Sequence, residues 1–98
     1  MNVKCYEMLP KYLMNMHAEL SELWEAWRKG NINAPCDKSA KMLELNVKEL
    51  TCFEEELADI VIRALDTAHA FGIDIEKAIE SKHAYNATRS HRHGGKLA

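Results

Sequence analysis

Two short stretches set acidic residues against apolar ones in the same order: AELSELW at 18–24 and EEELADIVIR at 54–63. Glu19, Leu20, Glu22 and Leu23 stand 37 positions before Glu56, Leu57, Asp59 and Ile60. On a helix the two acids of each pair project ~60° apart. Measured from Leu20 and Leu57, taken as core residues, both pairs fall at the same angle. If the two apolar stripes pack as an antiparallel pair, four carboxylates meet at the seam. Like charges in a half-buried site repel, so either their pKa values rise or cations neutralise them. Hard divalent cations with oxygen ligands, Mg²⁺ or Mn²⁺, suit such donors. A single E-x-x-[ED] pair is common on solvated helix faces, and the matched register is what sets these two apart. Glu25, Glu54, Glu55 and Asp66 project further from the stripe and are expected at the surface. Arg63, four residues after Asp59, is expected to hold that carboxylate in an i,i+4 ion pair.

A third set lies nearer the C-terminus. Ile75, Ile79, Lys82, Asn86 and Arg89 share one ~60° helix face, which begins apolar and turns polar. Lys82, Asn86 and Arg89 therefore point where a core would have continued. A lysine, an amide and an arginine beside a metal site suit phosphate oxygens. The plainer alternative is snorkelling of long side chains at a helix end.

The elements that must position these groups read as helices throughout. Only four glycines and two prolines interrupt the chain, and no strand-period run is present. A first helix is expected from about Lys4, or from just before Pro10, to Lys29, with Leu9, Leu13, Met16, Leu20, Leu23, Trp24 and Trp27 on one side. Pro10 either opens its main segment or kinks it, and Gly30-Asn31 ends it. Residues 31–50 read as a loop followed by a short helix to about Asn46, with Asp37 as its cap. Thr51 and Glu54 form a capping box ahead of a stripe of Leu57, Ile60, Val61, Ala64, Leu65 and Ala68, which Gly72 stops after Phe71. Asp74 caps a last helix from Ile75 to about Arg89, and a flexible basic tail is expected at about 90–98. This is an all-α fold and a single domain over 1–98. Its broad apolar faces exceed what so short a chain can cover alone, so a helical bundle completed by homo-oligomerisation is expected, with C2 symmetry at its base.

Composition narrows the class. The 98 residues are 47% hydrophobic and 29% charged, as in a globular protein, and no apolar run approaches a membrane span. The first ten residues hold no apolar core of a secretory signal, so none is expected. Cys5, Cys36 and Cys52 are scattered and odd in number, which argues against a disulfide scaffold or zinc site and for a reducing cytoplasm; each is expected as a small buried or half-buried apolar residue. The net charge of −2 hides an asymmetry. Residues 1–81 carry −6, and 82–98 carry +4 with Lys82, Arg89, Arg92, Lys96 and no acid. An acidic body with a basic end suggests a metal on one side and phosphate on the other.

HAELSELWEAWRKG, EEELADIVIRALD and GIDIEKAIESKHAYNATRSHRHGGK together resemble a MazG-type all-α nucleotide pyrophosphohydrolase, close to the short single-domain members found in phages and mobile gene cassettes. The likeness spans nearly the whole chain and is weakest over 31–50. It implies a Mg²⁺-dependent hydrolase, with Mn²⁺ as a substitute, that splits a (d)NTP into (d)NMP and pyrophosphate in nucleotide-pool house-cleaning. It also implies catalytic, metal-ligating roles for Glu19, Glu22, Glu56 and Asp59, substrate binding by Lys82, Asn86 and Arg89, and assembly as dimers or dimers of dimers, in which a site can borrow residues from a neighbour. The sequence departs from the family in two places. Ala18 stands where many members carry a further glutamate, and 33 residues separate Glu22 from Glu56, a long spacer. The general base is open among Glu19, Glu22 and Glu55. Trp24, Trp27, His17 and Tyr85 are available to read a base, although both tryptophans suit an oligomer core better and His17 suits a packed or capping role.

Two other classes compete. A di-iron carboxylate bundle needs two E-x-x-H motifs per site, and only Glu80-x-x-His83 qualifies. A non-catalytic helical module would bind nucleic acid through the basic C-terminal tail, but four basic side chains without interleaved aromatics make a poor platform.

Overall fold

The computed structural model describes the backbone of residues 3–92 and the side chains of residues 6–89. Four helices follow in order: α1 (Val3–Arg28), α2 (Ser39–Glu44), α3 (Cys52–Ala70) and α4 (Ile75–Arg92). The chain is all-α, and no strand element occurs among the described residues. No helix there is long and apolar enough to cross a membrane. The tail expected at 90–98 lies outside the described side chains, and 93–98 outside the described backbone.

Helices α1 to α3 all end the same way. Gly30, Asn46 and Gly72 adopt φ of 76°, 58° and 67°, the left-handed conformation that glycine and asparagine take at least cost. Each is followed by the paired backbone bonds that close a helix C-terminus. Gly30 N donates to Trp27 O and Asn31 N to Ala26 O; Asn46 N to Leu43 O and Val47 N to Met42 O; Gly72 N to His69 O and Ile73 N to Ala68 O. The starts are equally specific. Thr51 Oγ1 accepts from Glu54 N at 3.1 Å while Thr51 N donates to Glu54 Oε1 at 3.0 Å, and Asp74 Oδ1 accepts from Lys77 N at 3.1 Å.

Pro10 lies inside α1, which starts at Val3, in keeping with the expected start near Lys4 and not with a start at Pro10. Two expectations need correction. Helix α4 runs three residues beyond Arg89. Asp37 does not cap α2: Lys38 occupies the N-cap position without a side-chain capping bond, and Asp37 accepts from Lys38 instead.

Helices α1 and α3 form an antiparallel pair, the one extensive helix–helix contact among the described residues. Phe71, just past α3, is buried under Tyr6 and Tyr12 of α1, with ring centroids 5.9 and 5.6 Å away. At the opposite end the connecting segment is clasped onto the start of α3. Cys36 N donates to Leu50 O at 2.9 Å, Cys52 N to Ala34 O at 2.8 Å and Phe53 N to Ile32 O at 2.9 Å. Cys36 is buried and Cys52 half-buried, both as free thiols.

Only half of each apolar stripe is used by this pair. Leu9, Met16 and Leu23 of α1 and Ile60, Ala64 and Ala68 of α3 are buried or half-buried. Leu13, Trp24 and Trp27 of α1 and Val61 and Leu65 of α3 are exposed. Leu20 and Leu57 are also outside the core, at 55% and 48% exposed. Ile79 of α4 is likewise exposed. The radius of gyration, 17.4 Å, exceeds the ~13 Å expected of a close-packed chain this long.

Replacing Thr51 by alanine removes an N-cap and one arm of the capping box. It is expected to cost about 1 kcal/mol, seen as a fall of ~4–8 °C in the circular-dichroism melting midpoint. An unchanged midpoint would show that α3 does not depend on this cap.

Candidate metal centre

The antiparallel pairing brings the two acidic stretches together midway along the seam. Glu19, Glu56 and Asp59 each offer one carboxylate oxygen, and these atoms lie within 4.8 Å of one another. All three residues are half-buried. Glu22, the fourth acid expected here, sits beside Glu56 but outside that trio. Leu20 and Leu57, expected in the core, are both exposed, yet the acids still meet. What matters is that the two pairs keep equal angles to their stripes, and one edge of each stripe packs.

Two cations of the chain brace the cluster. Arg63 Nε donates to Glu19 Oε2 at 3.1 Å, across the helix pair and not along α3 to Asp59 as expected. Lys38 Nζ, from the connecting segment, donates to Glu55 Oε2 at 2.6 Å. Glu55 is thus a correction: it is 8% exposed, not a surface charge. A signal for it was present, since four residues from Asp59 it projects within ~40° of that side chain. Lys38 left no such signal, because nothing in the periodicity of 31–50 connects it with a residue 17 positions on. The other acids expected on the surface behave as expected or serve locally. Glu25 pairs with Arg28 at 3.0 Å, Glu54 completes the cap, and Asp66 is exposed.

Burial first, and then crowding, raises the proton affinity of Glu56 and Asp59. Glu56 is pushed up to about 7, first by burial and then by a hydrogen bond to the Glu22 carboxyl and by the charges of Glu22, Glu55 and Glu19. Asp59 is also raised, by burial first and then by Glu19 and Glu55, against the opposing pull of Lys38 and Arg63. The Lys38 ammonium is held well above its ordinary value, chiefly by its bond to Glu55.

The donor set fits a hard divalent cation. Two oxygens on one octahedral ion at ~2.1 Å are ~3 Å apart when adjacent and ~4.2 Å when opposite, so three atoms within 4.8 Å of one another would have to draw together to share an ion. Glu56 Oε2 is buried without a hydrogen-bond partner, the condition a cation would relieve. Beside the cluster opens a cleft of about 430 Å³ lined by Ser21, Glu22, Lys29, Asn31, Asp37 and Glu56, among others.

Helix α4 remains apart from these acids. Lys82 Nζ and the Arg89 guanidinium lie over the Tyr85 ring, 5.0 and 5.5 Å from its centroid, so Lys82 and Arg89 share a face with Tyr85. Asn86 is half-buried. Among the described residues no hydrogen bond or ion pair joins α4 to α1 or α3. Trp24 and Trp27 stack on each other, 5.2 Å between centroids, on the exposed side of α1. His17 is exposed and lines an apolar hollow with Leu20, Ser21 and Trp24. Compared with protein-family models, curated proteins and solved structures, the chain matches none of them.

Because Glu56 binds its proton more tightly folded than unfolded, its contribution to stability is complete below the unfolded value near 4.5 and is lost as pH rises through about 7. The metal-free protein is therefore expected to melt lower at ~pH 8 than at ~pH 5.5, and Glu56→Gln to flatten that difference. Adding Mg²⁺ at the higher pH should restore the wild-type midpoint by mass action. Melts with the same pH slope in wild type and variant would show that Glu56 does not carry the effect.

Proposed function

We propose that this protein is a MazG-type nucleoside triphosphate pyrophosphohydrolase that uses Mg²⁺, or Mn²⁺ in its place, to convert a (d)NTP to (d)NMP and pyrophosphate. The observation that carries the reading is the convergence of Glu19, Glu56 and Asp59 at one point of the α1–α3 seam, with Glu22 adjoining. It is the meeting that the two E-x-x-[ED] stretches foretell.

Glu19, Glu56 and Asp59, with Glu22, would hold the cation. A divalent ion bound there supplies charge for the phosphate oxygens and an acidified water. Among the residues considered as general base, Glu19 is tied to Arg63 and Glu55 to Lys38. Glu22 has no ion-pair partner among the described residues and lines the cleft, so of the three it is the one that a cation or a water approaches without breaking an ion pair. The cleft is large enough for part of a nucleotide. Lys82, Asn86 and Arg89 are assigned to the phosphates, where Lys82 and Arg89 would offset charge on the departing pyrophosphate.

The same reading assigns a homo-oligomer, a dimer or dimer of dimers. Support comes from the uncovered halves of both apolar stripes and the stacked tryptophans, more apolar surface than an isolated chain leaves to water. Assembly is also what would bring α4 to the acids. The function places the protein in the cytoplasm, in nucleotide-pool house-cleaning, with neither membrane nor nucleic acid as partner.

Glu56→Ala and Asp59→Ala are each expected to abolish Mg²⁺-dependent pyrophosphate release from a panel of NTPs and dNTPs while leaving the oligomer intact on size-exclusion chromatography. Activity near wild type in either variant overturns the assignment. Lys82→Ala should raise KM and lower kcat together, because its contact strengthens as charge develops; a change in KM alone would make Lys82 a ground-state binder only.

A further inference from the structure

One lysine reaches the acidic cluster from outside the helix pair that builds it. Lys38 stands at the base of the excursion between the two clasped stretches of the connecting segment. Its Nζ donates to Glu55 Oε2 at 2.6 Å and to Asp37 Oδ1 at 3.3 Å. The lysine side chain is 60% exposed, whereas that of Glu55 is 10% exposed. The clasp at Cys36–Leu50 and Ala34–Cys52 fixes where the lysine starts, and Glu55 is anchored in the first turn of α3. Glu55 has the same chemistry as its neighbour Glu56 and lies on the side of α3 that carries Asp59. It differs in being neutralised already, by a cation that the chain itself supplies. The Glu55 oxygen bonded to the ammonium is engaged, and the charge of the carboxylate is offset by a cation already in place. Glu19, although bonded to Arg63, still offers an oxygen to the trio.

We propose, resting on the metal-dependent reading above, that Lys38 is a positioning residue: a tethered counter-cation that withholds Glu55 from divalent ions and so limits how many the centre takes and how tightly. Its positive charge also opposes the incoming ion, so occupancy stays sensitive to the concentration of free cation.

Mn²⁺ titration of the full chain, followed by electron paramagnetic resonance and calorimetry without nucleotide, tests this. Lys38→Met is expected to bind Mn²⁺ roughly tenfold more tightly, or to take a further ion per chain, once Glu55 is released and a unit charge is removed. Lys38→Arg should match the wild type. Glu55→Gln should weaken binding, because Lys38 then stands uncompensated, and the double variant should return toward wild type, the coupling that a direct pair requires. If Lys38→Met does not fold, Lys38→Gln carries the same expectation. A wild type that binds Mn²⁺ beside a Lys38→Met variant with the same affinity and stoichiometry overturns this inference alone. A lower melting point without altered Mn²⁺ binding would make Lys38 a structural tether and overturn it equally. A wild type that binds no Mn²⁺ removes the metal centre and this inference together.

Discussion

Repulsion between carboxylates at the α1–α3 seam is the constraint around which the rest of the molecule is arranged. Glu19, Glu22, Glu55, Glu56 and Asp59 all face one short stretch of that seam, against the bound cations Arg63 and Lys38. Such an arrangement is unfavourable unless something else holds the helices together. The aromatic contact of Phe71 with Tyr6 and Tyr12 secures one end, and the backbone clasp around Pro35 and Thr51 secures the other. The acids sit between these two fixed points. The seam can therefore carry strain at its middle without opening, an expected cost of gathering charge for a ligand.

The apolar surface obeys a different logic. A helix stripe wide enough for two partners meets only one among the described residues. On α1 the inner edge, Met16 and Leu23, packs against α3, while the outer edge, Leu13, Trp24 and Trp27, remains in water. The same division runs along α3 between Ile60 and Val61. Burying a side chain of this size stabilises by roughly 1.5–3 kcal/mol, so the uncovered edges represent a large unused driving force. Helix α4 likewise has no extensive partner among the described helices.

Local signals in the sequence located the end of α1, both ends of α3 and the start of α4. Thr51 with Glu54, Asp74, Gly30 and Gly72 act on neighbours a few residues away, and their hydrogen bonds form regardless of what packs outside. The convergence of Glu19, Glu56 and Asp59 was also legible, because equal angular offsets survive a misassigned core reference. What escaped was non-local. Periodicity marks Leu20 and Leu57 as apolar-face residues but cannot say whether the face is covered by the same chain. The pairing of Arg63 with Glu19 instead of Asp59 depends on the inter-helix spacing, and Lys38 approaches Glu55 along a segment without periodic pattern. Asp37 looked like a cap, but its carboxylate accepts from the adjacent ammonium, which leaves the start of α2 without a side-chain cap.

The clasp at Pro35 and Thr51 has a consequence for how this chain tolerates change. Backbone bonds close the connecting segment at its neck, so the residues beyond it, including α2, form a side excursion whose length does not set the alignment of α1 with α3. Lengthening a loop whose ends are already joined costs only a slowly growing entropy. Insertions or deletions around 40–48 would therefore leave the acids facing one another, provided the neck and the lysine next to it are kept. The 33-residue spacer between Glu22 and Glu56 is on this view a detour hung from a fixed doorway, free to change in length while the room behind it keeps its shape.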